Sequence, residues 1–299
     1  MDYRAEILIR GHILNPFWKT RLERRRIRGE VTRDAVCRRL EPYLEFMRGL
    51  APENAGVSKE AEGGEKIFSI WLQGEENAPE VVKACWRSVR KNCPQELVVL
   101  DGKSIGDWIE LPEHIAGKWR DGKMKPAHFT DVCRLALLER HGGLWLDATD
   151  YVPAAFPQWL WDCGFFMHTA GTRLPGWYAS VQNCFIRSER GNFLTSAWLR
   201  LVCEYWRRED RAADYFVHQL LFSMLVENNA EAARRYGEMP KIVQDPTHAL
   251  WFGHGNSPYD PETWDELASA ALFQKTEYKS EMATSPKPGS NAWHLIHGV

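Results

Sequence analysis

His141-Gly142-Gly143-Leu144-Trp145-Leu146-Asp147-Ala148-Thr149-Asp150 reads as the end of a helix, a short buried strand and two carboxylates delivered from that strand's C-terminal end. Paired glycines stop a helix by supplying the left-handed backbone that other residues avoid. One helix upstream lies Asp131-Val132-Cys133-Arg134. In open α/β sheets ligands bind outside the carboxyl ends of the strands. Hard divalent cations take one or two carboxylates together with substrate phosphates. Asp147 and Asp150 are therefore candidate ligands for Mg²⁺ or Mn²⁺ beside a diphosphate. The competing reading of each is an Asx-turn or helix N-cap aspartate.

Outward from this stretch the pattern alternates strand and helix. Lys66–Leu72 is a strand, and Pro79 opens a helix whose apolar face is Val81, Val82, Cys85, Trp86 and Val89, running to Asn92. Pro94 follows, and Glu96–Asp101 is a second strand, so the unit implies parallel strands. An irregular stretch over 102–125 leads to a helix over Pro126–Arg140 and a third strand over Leu144–Asp147. Further strands are expected near 164–168 and 184–187, and helices near 192–208 and 211–228, before a loop-rich tail. This is an α/β chain with a doubly wound sheet.

Composition bounds the rest. The 299 residues carry 44% hydrophobic residues with 14 Trp and 13 Phe, enough for a packed core. A formal charge of −2 gives no pull toward nucleic acid. Seven scattered cysteines without a CxxC spacing argue against a disulfide framework or zinc knuckle and for a reducing compartment. No apolar run approaches the roughly 18 residues that span a bilayer, and the N-terminus lacks a signal-peptide core. The expectation is a cytoplasmic protein. Residues 1–63 form a basic helical extension and linker, with Arg21, Arg24, Arg25, Arg26 and Arg28 ahead of Val36, Leu40, Tyr43, Leu44 and Met47 at helical spacing. That face either packs on the main domain or touches an anionic membrane, where each basic residue contributes about 1 kcal/mol. Residues 64–299 form the main domain.

On the helix over 126–140, Phe129, Val132, Cys133 and Ala136 share one side, and Asp131 and Arg134 (i, i+3) share the other. Two readings stand open. One is an exposed ion pair of small energetic value. The other is a carboxylate and guanidinium overhanging a cleft, with donors and acceptors in fixed geometry for a polyhydroxylated ligand.

Several stretches then carry a resemblance. Ile67–Trp71 with Gln73-Gly74, Ala78–Cys85, Pro126–Leu135 and Gly142–Thr149 together resemble the bacterial capsular polysaccharide synthesis proteins, relatives of glycosyltransferase family 32 with its SDxxRxxxLxxxGGxYxDxD phrase. The resemblance covers about 64–299. It implies a GT-A, Rossmann-like fold that binds a UDP- or GDP-sugar, a divalent cation (Mn²⁺ or Mg²⁺) on the diphosphate, and transfer with retention to a glycan or lipid-linked acceptor. By motif position, Trp71 and Gln73 would lie near the nucleotide. Asp131 and Arg134 would hold the donor sugar, and Asp147 the ribose, sugar or metal. Asn183 would be a further sugar contact. A C-terminal histidine, His294 in preference to His297, would complete the metal site with Asp147 and Asp150. His218 and Gln219 read as packing or surface residues. The chain departs from the phrase at Thr149, where a D-x-D motif has its second aspartate. That departure keeps open a catalytically silent, nucleotide-sugar- or carbohydrate-binding protein, and strand-end acids alone would also suit a phosphohydrolase.

Overall fold

The computed structural model describes residues 21–52, 65–170 and 179–298. In chain order these form α1 (Arg21–Leu40), α2 (Leu44–Gly49), β1 (Lys66–Ile70), α3 (Glu80–Asn92), β2 (Glu96–Leu100), α4 (Ile105–Trp108), α5 (Glu113–Arg120) and α6 (Pro126–His141). There follow β3 (Gly143–Leu146), β4 (Asp150–Tyr151), α7 (Gln158–Asp162), β5 (Phe165–Thr169), β6 (Val181–Ser188), α8 (Phe193–Arg208) and α9 (Val217–Asn228). Last come α10 (Ala230–Glu238), α11 (Pro261–Ser269), β7 (Gln274–Lys275), α12 (Glu281–Thr284) and α13 (Asn291–His297).

A five-stranded sheet runs β2-β1-β3-β6-β5. β1 is parallel to both β2 and β3, whereas β6 is antiparallel to β3 and to β5. The sheet is thus α/β with a parallel centre and an antiparallel flank. β2 shows its two faces by the two-residue period of a strand. Val98 and Leu100 join the larger core with α6, α8 and α9. Leu97 and Val99 also touch the smaller core of α3, α11 and α13. A separate two-stranded ladder pairs β4 with β7, Asp150 opposite Lys275.

The N-terminal helices share the larger core: Val36, Leu40, Tyr43, Met47 and Leu50 are buried in it with the sheet residues. Asn229 locks them there by donating from Nδ2 to the carbonyls of Met47 (2.9 Å) and Leu50 (2.8 Å). Most of the expected linker, and the side chains of Arg21, Arg24, Arg25 and Arg26, lie outside the described residues.

Two expectations need correction. The stretch over 102–125 holds two short helices, α4 and α5, pinned by buried Ile105, Ile109 and Ile115; Gly106 and Gly117 weaken their propensity and hid them. The tail is also more helical than expected. α10, α11 and α13 start at Asn229, Asp260 and Ser290, whose side chains accept from the backbone N–H of Ala232, Thr263 and Trp293. Those residue types are strong N-caps.

Candidate functional site

The glycine pair sets the site's position. Gly142 and Gly143 have φ of +69° and +100°. A methyl group at Gly143 would run into the Lys66 carbonyl, and one at Gly142 into the backbone of Arg190. Only glycine lets α6 stop there and β3 lie against β1, with Ile67 opposite Leu144 and Phe68 opposite Trp145. Asp147 then emerges immediately after β3, its N–H donating to the Cys184 carbonyl of β6 at 2.8 Å. α6 precedes β3 and runs back along it, so its first turns, with Asp131 and Arg134, reach the same carboxyl edge.

Asp131 and Arg134 are 8% and 5% exposed, so they are not a surface pair. Their partners come from β3, β6 and α9. Arg134 Nη2 lies 3.0 Å from Asp131 Oδ1 and 3.4 Å from Asp147 Oδ1. Its Nη1 donates to the Asn183 carbonyl, and its guanidinium sits 4.8 Å over the Trp145 ring. Asn183 Nδ2 donates to Asp131 Oδ1 (2.9 Å), and Gln219 Nε2 donates to Asn183 Oδ1 (3.0 Å). His218 Nδ1 faces Asp131 Oδ2 at 3.0 Å. Burial opposes ionisation of Asp131, yet the Arg134 charge and then His218 hold its carboxyl well below the usual range. Burial pulls His218 below its ordinary value, against the pull of Asp131. His218 and Gln219, read from sequence as packing or surface residues, are thus buried members of this cluster. The one available signal was a polar pair opening the otherwise apolar helix α9.

Ligand atoms of His128, Asp131 and His218 all lie within 4.8 Å of one another, a spacing that could hold a metal ion. Trp206 Nε1 donates to His218 Nε2 at 2.9 Å. A neutral His218 therefore carries its proton on Nδ1, toward Asp131. In that tautomer Nδ1 carries a proton beside Asp131 and offers no lone pair to a metal.

The strand-end carboxylates form a second cluster. Asp147 is partly open, its side chain 28% exposed, whereas Asp150 is fully buried. Lys275 Nζ donates to Asp147 Oδ2 (2.9 Å) and to Asp150 Oδ1 (3.0 Å). Trp145 Nε1 donates to Asp147 Oδ1 at 3.0 Å. Burial opposes the charge on Asp147, but Lys275 and Arg134 lower its pKa. Burial pushes Asp150 up to about 7, with Lys275 opposing and Asp147 adding to the shift. Burial works against the Lys275 charge too, yet the two aspartates hold it well above its ordinary value. Sequence reasoning missed Lys275 entirely; no motif marks it.

Donors already engage three of the four carboxylate oxygens of Asp147 and Asp150, and the fourth, Asp150 Oδ2, is buried without a partner among the described residues. This donor set does not fit a divalent ion shared by the two residues. His294 is not brought to it. Its ring stacks on Tyr259 (3.7 Å) and meets the edge of Trp264 (4.8 Å), and α13 packs on α3. Burial and the Lys91 charge, at the far end of α3, lower its pKa. Trp71 does sit at the carboxyl end of β1, donating from its backbone N–H to the Leu100 carbonyl (2.9 Å) and meeting Tyr278 edge-on (5.1 Å). Its indole N–H is buried and unpartnered among the described residues. Gln73 is exposed on the following turn, its carbonyl accepting from Asn77. Beside His128 a cavity of about 580 Å³ is lined by Lys123, Lys125, Trp206, Arg211 and Tyr215 among others.

A model of a family described as capsular polysaccharide synthesis protein matches residues 19–291, so the match takes in α1 and α2. The O-glycosyltransferase braB of Annulohypoxylon truncatum is 25% identical over 176 residues, 52% of this chain. The matched stretch spans 41% of that relative's length. A solved structure titled PaToxG Glycosyltransferase aligns over 91% of this chain and 98% of its own, with 15% identity and a TM-score of 0.40. Among the described residues no helix is long and apolar enough to cross a membrane.

Proposed function

The chain belongs to the capsular polysaccharide synthesis protein family, and from that premise we propose that it is a glycosyltransferase of polysaccharide assembly, moving a sugar from a nucleotide-sugar donor to a glycan or lipid-linked acceptor. The observation that carries this reading is the convergence of Asp131, Arg134, Asp147, Asn183 and Lys275 at the carboxyl edge of the sheet, where the GT-A fold holds its donor. The curated relative named as an O-glycosyltransferase agrees with it.

The chemistry follows from charge. As the bond from the anomeric carbon to the diphosphate breaks, its electron pair leaves on a phosphate oxygen and positive charge grows on the sugar. Preorganised charges aimed at both ends lower that barrier. Asp147, the partly open carboxylate, faces the sugar in this reading. Arg134 and Lys275 flank it as the cations. Asp131 is buried whereas Asp147 is partly open, so Asp131 acts as a positioning residue for Arg134 and Asn183. An acceptor hydroxyl on the donor's leaving-group face forms the new bond, and its proton passes to the departing phosphate oxygen, which retains configuration. Trp71 and Gln73 belong to the nucleotide end, and the cavity beside His128 to the sugar or acceptor end. No step is assigned to a divalent cation, because the donor set around Asp147 and Asp150 does not fit one.

The test is nucleotide release from a panel of UDP- and GDP-sugars, with proton NMR of the transferred sugar's anomeric configuration. One donor should be turned over by the wild type and not by Asp147→Asn. Release that ignores Asp147, or turnover of simple phosphate esters alone, sinks the proposal. Thr149, in place of the second D-x-D aspartate, favours a second reading: binding of a nucleotide-sugar or glycan without release. Peripheral contact of the arginine-rich N-terminal region with an anionic membrane is a separate proposal, and sedimentation with phosphatidylserine liposomes tests it.

A further inference from the structure

We infer that Lys275 is the resident cation of this site: its ammonium stands between Asp147 and Asp150, where a shared divalent ion would stand, and offers its positive charge to the donor's diphosphate. The diphosphate half of this inference rests on the glycosyltransferase reading; the placement of the cation does not.

The backbone builds the arrangement. Asp150 and Lys275 face each other in the β4–β7 ladder, so the register alone presents the amine to the acid. Thr149, the residue at the second D-x-D position, is used through its backbone: its carbonyl accepts from Thr276 N (2.8 Å) and Thr276 Oγ1 (2.9 Å). The position that would have carried a metal ligand instead anchors the strand that carries the lysine. On the other side Gln274 is fully buried, donating to the Leu267 carbonyl (2.9 Å) and accepting from Leu250 N (3.1 Å). Lys275 is therefore held from both neighbours and has little freedom to swing away. An ammonium has three N–H donors. Two are spent on Asp147 and Asp150, and the third has no partner among the described residues. With Arg134 3.4 Å from Asp147 as well, that carboxylate already faces two fixed cations, and a divalent ion would meet both of them.

Mn²⁺ alone is the probe, followed by the electron paramagnetic resonance signal of the free ion. The wild-type chain should leave that signal undiminished. Lys275→Met removes the amine at similar length, and it should take up one Mn²⁺ per chain that the further change Asp147→Asn abolishes. One Mn²⁺ bound per wild-type chain, lost in Asp147→Asn, overturns the inference. If Lys275→Met does not fold, the wild-type titration still decides. With a donor in hand, wild-type nucleotide release should survive a chelator. Lys275→Met should lose on the order of 10²–10³-fold in kcat/KM, the scale for removing one preorganised donor, and regain part of it with Mn²⁺. Release that requires Mn²⁺ in the wild type also overturns the inference. The binding titration uses no sugar, so a chain that turns over no donor sinks the proposed function without touching it.

Discussion

Two charge clusters meet at Asp147 and are built by opposite means. The inner one, around Asp131, is assembled from α6, β6 and α9 and is buried, with Arg134 and Asn183 on one Asp131 oxygen and His218 facing the other. The outer one, around Asp147 and Lys275, is assembled from strand ends and a two-residue ladder and remains partly open. Arg134 joins them, 3.0 Å from one carboxylate and 3.4 Å from the other. The contrast separates two tasks. A buried group held against a counter-charge keeps geometry, and its loss is felt in stability. A partly open group with an unspent donor meets substrate, and its loss is felt in turnover.

The largest expected effect breaks the inner cluster. Arg134→Met leaves Asp131 buried without its main counter-charge and should cost about 3–5 kcal/mol in urea unfolding; a loss below about 1 kcal/mol would mean that water reaches Asp131. His218→Phe comes next. It strands the Trp206 indole N–H and removes the group facing Asp131 Oδ2, for about 1–3 kcal/mol in the same measurement.

Asp147→Asn should behave in the other way, costing about 1 kcal/mol in stability and at least about 100-fold in nucleotide release. Equal damage to stability from Asp147→Asn and Arg134→Met would erase the distinction between the clusters.

The smallest effect is in pH. Asp150 has its pKa raised when folded, from 3.8 to about 7, so the folded chain binds the extra proton between those values. The stability that proton contributes is full below the unfolded pKa and is lost as pH rises through 7, by up to about 1.4 kcal/mol per pH unit. Asp131 has the opposite sign: its depressed pKa contributes stability above the ordinary carboxylate range, lost only as pH falls through and below it. The lowered pKa values of His218 and His294 act in the opposite sense across this window, so the measurement is a difference: between about pH 5.5 and about pH 8 the wild type should lose stability relative to Asp150→Asn in thermal melting. Parallel pH profiles for the wild type and Asp150→Asn would show that Asp150 stays charged.

Much of the framework was legible. Gly142-Gly143, the β1–α3–β2 unit and α6 follow from glycine chemistry and apolar periodicity, and they bring Asp131, Arg134 and Asp147 to one edge. The i, i+3 spacing joined Asp131 to Arg134 but did not show their burial, because Asn183 of β6 and His218 of α9, which help enclose the pair, lie far along the chain. His294 looked suited to a metal, yet its neighbours are aromatic rings. Lys275 had no motif, and its partners lie 125 and 128 residues away in sequence.

Local chemistry, written in the order of residues, determined where the strands end and which acids stand there. Which cation answers those acids was decided only in three dimensions. A ladder register between segments far apart in the chain has no local signature, and the side chain it delivers takes its meaning from the groups it meets.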